Sequence, residues 1–167
     1  MIRKILLGLL AILLVIQFFR PAKNKSNDQQ YHIKTLYPMS ADLTKLMEVA
    51  CDDCHSNNTR YPWYSNFQPL AWWLDDHIKE GTRHLNFSNL ASRRIALQNK
   101  KLEEVVEMIE EGEMPLYSYT LTHSDARLTA DQKKMITDWA KSASDHIKAT
   151  YPADSLVLPK RPAPAKK

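Results

Sequence analysis

Cys51-Asp52-Asp53-Cys54-His55 sets two thiols two residues apart, with an imidazole directly after the second. Thiols at this spacing are placed to add to the two vinyl groups of a haem, and the adjacent imidazole then lies beneath the iron as its proximal ligand. C-x-x-C-H is the attachment signature of c-type haem. Competing chemistries need partners that are missing. A structural zinc site requires two further ligands at suitable spacing, yet there is no third Cys and no H-x3-5-H pair downstream. A thioredoxin-like dithiol requires a βαβ setting, whereas the flanking residues read as helical. One Cys pair is also too little for a disulfide framework.

A haem iron bound on one side asks for a ligand on the other. Met114 lies in Glu-Gly-Glu-Met114-Pro115-Leu, a loop after a helical stretch. His/Met ligation raises the potential and suits electron transfer. Pro115 biases Met114 toward extended backbone. Met108 and Met135 fall on helical stretches and read as core. His84 is the alternative distal ligand, and His/His ligation would lower the potential relative to His/Met. His77 reads as a helix residue facing either solvent or the haem, His123 as a loop hydrogen-bonder, and His32 and His146 as solvated. Tyr61, Trp63, Tyr64, Phe67, Trp72 and Trp73 follow the motif closely. Such rings can wall a flat apolar cofactor, and the polar groups of Arg60, Trp63 and Tyr64 can meet its propionates; ordinary core packing is the competing reading.

Four helices are expected to position these groups. Ser40 caps the first, with Leu43, Leu46, Met47 and Ala50 on one face, and this helix runs into Cys51. The second begins at Pro69 and covers LAWWLDDHIKE, with Gly81 as its stop. The third spans about Ser92 to Glu111 and ends at Gly112. The fourth opens on the capping box Thr129-Ala-Asp-Gln132 and carries the stripe Met135, Ile136, Trp139, Ala140, Ala143 and Ile147, with Trp139 read as core where this helix crosses the first. Only 3 Gly and no alternating strand pattern disfavour a β fold.

Outside this body, residues 1–20 read as a signal anchor or transmembrane segment: Arg3 and Lys4 precede an apolar run from Ile5 to Phe19 with no small-x-small cleavage site. The run is short, since fifteen residues at ~1.5 Å each fall below a ~30 Å hydrocarbon core. Residues 21–30 read as a linker, 31–150 as the haem-binding domain, and 151–167 as a disordered tail rich in Pro and Lys. The net charge of +4 hides two halves. Residues 40–150 hold 13 Lys and Arg against 17 Asp and Glu, a balance of −4, and the remainder therefore carries +8. An acidic body argues against nucleic-acid binding.

The stretches CDDCHSNNTRYPWYSNFQPLAWWL, HIKEGTRHLNFS, EGEMPLYSYTLTHSDARLT and DQKKMITDWA together resemble the bacterial haem-binding domain family, over roughly Tyr31 to Lys148. The resemblance implies an all-α, cytochrome c-like domain around one haem c. It further implies covalent attachment through Cys51 and Cys54, His55 as proximal ligand, and Met114 at the distal position. Attachment of such haems implies a periplasmic domain on the outer face of the bacterial inner membrane, tethered once through the N-terminal helix. The expected function is a one-electron carrier, not an enzyme, that meets redox partner proteins. A haem-based sensor or maturation factor, and a peroxidase-like enzyme, are the alternatives.

Overall fold

A computed structural model describes residues 1–159, and its described residues form helices and short 3-10 turns with no β-strand. Helix α1 covers Ile2–Ile16. The next, α2 (Ala41–Ala50), starts as expected, with the Leu43 amide donating to Ser40 Oγ at 3.1 Å, and runs into α3 (Asp52–His55), the turn carrying the cysteine motif. Helix α4 covers Leu70–His84. Helix α5 (Ile95–Glu111) stops at Gly112, whose φ of 77° closes the helix in the left-handed region open to glycine. Short α6 (Tyr117–Thr122) follows the Met114 loop, and α7 (Ala130–Thr150) realises the capping box in both directions. The helical class is as expected, with three short or terminal helices added to the four read from periodicity.

The apolar stripes of α5 and α7 face each other, burying Leu102, Ala140, Ala143 and Ile147. A second cluster joins Leu43, Leu46 and Met47 of α2 to Phe87, Ile109 and Ile136, with Trp139 packed against its edge. Between α5 and α7 the buried Ser144 hydroxyl donates to Asn99 Oδ1 at 2.8 Å, which satisfies two polar groups inside the seam.

Four expectations need correction. Gly81 does not stop its helix but lies inside α4, which ends three residues later at His84. The third helix starts at Ile95, because Leu90–Ser92 form a 3-10 turn. Residues 21–30 are not a free linker: Asn24 donates its amide to Tyr61 Oη at 2.7 Å and its side-chain nitrogen to the Ser56 carbonyl at 2.8 Å, and Lys25 bridges Asn58. The start of the supposed disordered tail is ordered, with a turn at Ala153–Leu156 and Leu156 packed on the α5–α7 core. Residues 160–167 of that tail lie outside the described residues.

Helix α1 also differs from the expected transmembrane segment over residues 1–20. It holds 15 residues, about 22 Å at ~1.5 Å per residue. Among the described residues no helix is long and apolar enough to cross a membrane. None of its residues is buried, although nearly all are apolar.

Candidate functional site

Between α3, α4, α5 and the loop leading to α6 lies a cavity of about 570 Å³, within the ~300–1,000 Å³ range of cofactor pockets. Cys51, Cys54, His55 and Met114 all line it, so the fold gathers four of the expected residues from positions up to 63 apart in the chain. Apolar walls come from Leu85, Phe87, Val105 and Ile109, whereas Glu80, Glu104 and Glu107 also line it, with Lys101 beside Glu104 at 2.5 Å.

The orientation of His55 is over-determined. Its Nδ1 lies 3.1 Å from the Gly81 carbonyl and 3.0 Å from the Leu85 carbonyl. Carbonyls only accept, so Nδ1 carries the proton and Nε2 keeps the free lone pair. Burial lowers the pKa of the ring against the opposing pull of those carbonyls, favouring the neutral imidazole that binds metals. The His55 carbonyl in turn accepts the Phe87 amide at 2.8 Å, and the Phe87 ring stands edge-on to the imidazole at 6.3 Å.

Gly81 explains how α4 comes near enough to hold the ring. A Cβ at this position would run into the Cys54 carbonyl oxygen and lie 3.0 Å from Cys54 Cβ. The absence of a side chain is therefore what lets the carbonyl of residue 81 reach His55. Desolvation pushes the Cys54 thiol up to about 11 and raises Cys51 as well, so both sulfurs sit as thiols in a largely apolar wall.

Met114, which also lines the cavity, is half-buried and packs on the core cluster that contains Ile109 and Ile136. The Met108 carbonyl accepts the Glu113 amide at 3.0 Å and the Met114 amide at 3.2 Å, turning the chain out of α5 so that residue 114 returns to the cavity. The loop is then closed by Tyr119. Its hydroxyl donates to Asp53 Oδ2 at 2.7 Å and lies 3.0 Å from the Val49 carbonyl. Asp53 is only 4% exposed, accepts the Arg60 amide at 2.7 Å and pairs with the Arg60 guanidinium at 3.2 Å. Burial and the carboxylate beside it raise the Tyr119 pKa, so the phenol stays protonated and remains the donor.

Other expected residues lie elsewhere. Arg60 is spent on Asp53 and on Asp125 at 3.4 Å, and does not line the cavity. Trp63 is 76% exposed, and the Tyr64 hydroxyl meets Thr122 Oγ1 at 3.1 Å; neither ring walls the cavity. Tyr61, Phe67, Trp72 and Trp73 are also absent from its lining, so the aromatic run after the motif builds an outer face. His84 does line the cavity, from the last residue of α4, but its side chain is 70% exposed and lies 3.5 Å from Glu80. His77 lines it as well, its ring tilted against Trp73 with centroids 4.3 Å apart. His123 stacks on Tyr119 at 4.1 Å, and His146 is exposed as expected. His32 is not solvated but buried, its Nδ1 accepting the Lys34 amide at 3.1 Å.

Sequence reasoning missed Tyr119, Asp53, Gly81 and Met108. Met108 lines the cavity instead of filling the core, and Met135 is exposed on α7. The one available signal was Asp53, a carboxylate inside the motif whose burial demands a donor.

A family model described as a haem-binding domain matches residues 11–142, most of the chain. No curated protein and no solved structure matches it. An apolar cavity bounded by two thiols, one tautomer-locked imidazole and a thioether fits the group this family is named for, and the chain belongs to the haem-binding domain family.

Proposed function

We propose that the chain carries one haem c and passes single electrons at a bacterial inner membrane, with its domain on the periplasmic side. The observation that carries this reading is the commitment of His55 Nδ1 to two carbonyls, which leaves Nε2 as the free nitrogen of a ring lining the same cavity as both thiols and Met114. Cys51 and Cys54 would hold the porphyrin through thioether bonds, with His55 Nε2 as proximal and Met114 Sδ as distal ligand. When bound, the haem supplies a one-electron ferrous/ferric couple, and a Met ligand favours the reduced form.

The protein's own residues then do three things. Gly81 and Leu85 fix the imidazole so that it does not reorient between redox states. Leu85, Phe87, Val105 and Ile109 exclude water from the site. The acidic mouth, with Glu80, Glu104 and Glu107 against Lys101, suits a redox partner with a basic docking face. Membrane attachment rests on α1, an apolar helix that none of the other described residues buries. Phe18 and Phe19 extend its apolar stretch, and local bilayer thinning with snorkelling of Arg3 and Lys4 makes up the missing length.

The test is spectroscopic, on the full chain made in a host with c-type maturation. A six-coordinate spectrum that ignores carbon monoxide supports the carrier, whereas rapid carbon monoxide binding redirects the reading to a sensor, a maturation factor or a peroxidase-like enzyme. Met114→Ala is expected to open the distal position and lower the potential. An unchanged potential removes Met114 as ligand and brings forward His84.

A further inference from the structure

The aromatic run after the motif has a place in the fold that haem binding does not use. Trp63 is 76% exposed, Phe67 54%, Leu70 46%, and Trp72 and Trp73 about as much. They are contiguous in the chain and form an exposed apolar rim: Trp63 meets both Tyr64 and Phe67 edge-on at 6.0 Å, and Leu70, Trp72 and Trp73 follow around the first turn of α4. This face lies at the foot of α1. The Gln17 side chain donates to the Gln68 carbonyl at 3.2 Å and accepts its amide at 2.9 Å. The Phe19 carbonyl accepts from Gln68 Nε2 at 2.7 Å and from the Trp72 indole at 2.9 Å. Gln68 is only 4% exposed, so the clamp is built into the fold.

We infer that this face is a lipid-docking surface, which seats the domain on the bilayer in one fixed orientation. The inference rests on the membrane reading of α1 and adds the position of the domain to it. Three observations select a bilayer as the occupant. The face is continuous with Phe18 and Phe19, exposed at 87% and 63%, and through them with the uncovered apolar helix. Its large residues are Trp, Phe and Tyr, with Trp and Tyr the types enriched at the membrane–water interface, where an apolar ring and a polar edge are both satisfied. Cations stand beside it: Arg20 follows Phe19, Lys23 Nζ lies 3.3 Å from Asn66 and 5.0 Å over the Tyr61 ring, and Lys25 lies 5.6 Å from that ring. Basic groups around an aromatic patch match anionic headgroups.

The docked orientation has a functional corollary. Trp73 lies against His77, one helical turn along α4, with the rings tilted at 48°, and His77 lines the cavity. The mouth therefore opens just above the headgroups, within reach of partners that are themselves in the membrane.

The experiment uses the full-length holoprotein in phosphatidylcholine–phosphatidylglycerol nanodiscs, with hydroxyl-radical footprinting read by mass spectrometry. Tyr117 is the internal reference, 78% exposed and outside the aromatic run. After normalisation to the reactivity of the free amino acids, Trp63 and Phe67 are expected to be oxidised severalfold less than Tyr117. Equal oxidation of Trp63 and Tyr117, in protein that stays with the disc on gel filtration, overturns the docking surface and leaves the anchor standing. Protein that elutes free of the disc overturns the anchor and the docking together. The haem reading is untouched by either outcome, because its signals are spectral.

Discussion

The two walls of the cavity are held in different ways. On the proximal side, Cys51, Cys54 and His55 lie within five residues, and Gly81 of α4 with Leu85, the residue that caps it, supplies both carbonyls that orient the ring. On the distal side, Met114 sits in a loop, and its enclosure depends on a phenol–carboxylate contact joining residues 66 apart. The proximal motif is local in sequence and its ring is oriented by backbone carbonyls 26 and 30 residues away; the distal wall is side-chain-built, across 66 residues. A local constraint survives loosening of the fold, whereas a contact across the chain does not. The distal ligand is thus the one expected to leave first under denaturant or heat.

The sharpest break is chemical. Replacing Cys51 and Cys54 together by Ala is expected to abolish all covalent haem, so that acid acetone extracts the pigment from denatured protein. Wild-type protein should retain it, and extraction there would remove the thioether assignment.

Next in size is Gly81→Ala. In an unobstructed helix interior this change would stabilise by about 1 kcal/mol. Here the new methyl collides with the backbone of Cys54, and overpacking of this kind costs about 1–3 kcal/mol. A net loss of about 2 kcal/mol in urea unfolding, with a shifted His55 signal in the spectrum, is expected. A gain in stability would show that α4 does not need to approach so closely.

Tyr119→Phe addresses the other wall. Loss of a hydrogen bond to a buried carboxylate costs about 1.5–3 kcal/mol, and Arg60 continues to pair with Asp53, so about 1.5 kcal/mol is expected. The diagnostic is the midpoint at which the Met114 band disappears in urea. It should fall below the midpoint of global unfolding in the variant, and coincident midpoints would mean that the loop is held by something else.

The smallest effect lies away from both walls and calibrates them. Burial, with Lys34 nearby, lowers the His32 pKa from 6.5 to about 4, and its Nδ1 must stay unprotonated to accept the Lys34 amide. Protonation therefore favours the unfolded chain. Stability is full above pH 6.5 and falls as pH drops toward 4, by on the order of 2 kcal/mol. His32→Asn keeps an acceptor at the cap and should flatten this portion of the pH profile. An unaltered profile would assign the loss to other groups.

The same division explains what could be read in advance. The motif, the Ser40 cap, the capping box at Thr129 and the stripes of α5 and α7 are local patterns with a fixed period, and all of them appear in the structure. Gly81 was misread because a glycine near the end of a polar-apolar pattern has the same signature whether it stops a helix or admits a neighbour; only the position of Cys54 decides. The aromatic run reads as either cavity wall or core packing, because nearness in sequence to His55 suggests nearness in space, yet the chain leaves the motif and turns outward at Pro62. Tyr119 had no local signature, since its partner is fixed only by the packing of α6 against α2 and α3. Residues 21–30 looked aperiodic because their bonds are to another segment, not to one another.

That last segment has a mechanical consequence. Ten unattached residues would give their ends a typical separation of about 17 Å and let the two bodies tumble independently. Asn24, Lys25 and the Gln17–Gln68 pair remove that slack on both sides of Pro21. The first helix is therefore a handle and not a leash: tilting it turns the mouth of the cavity by the same angle.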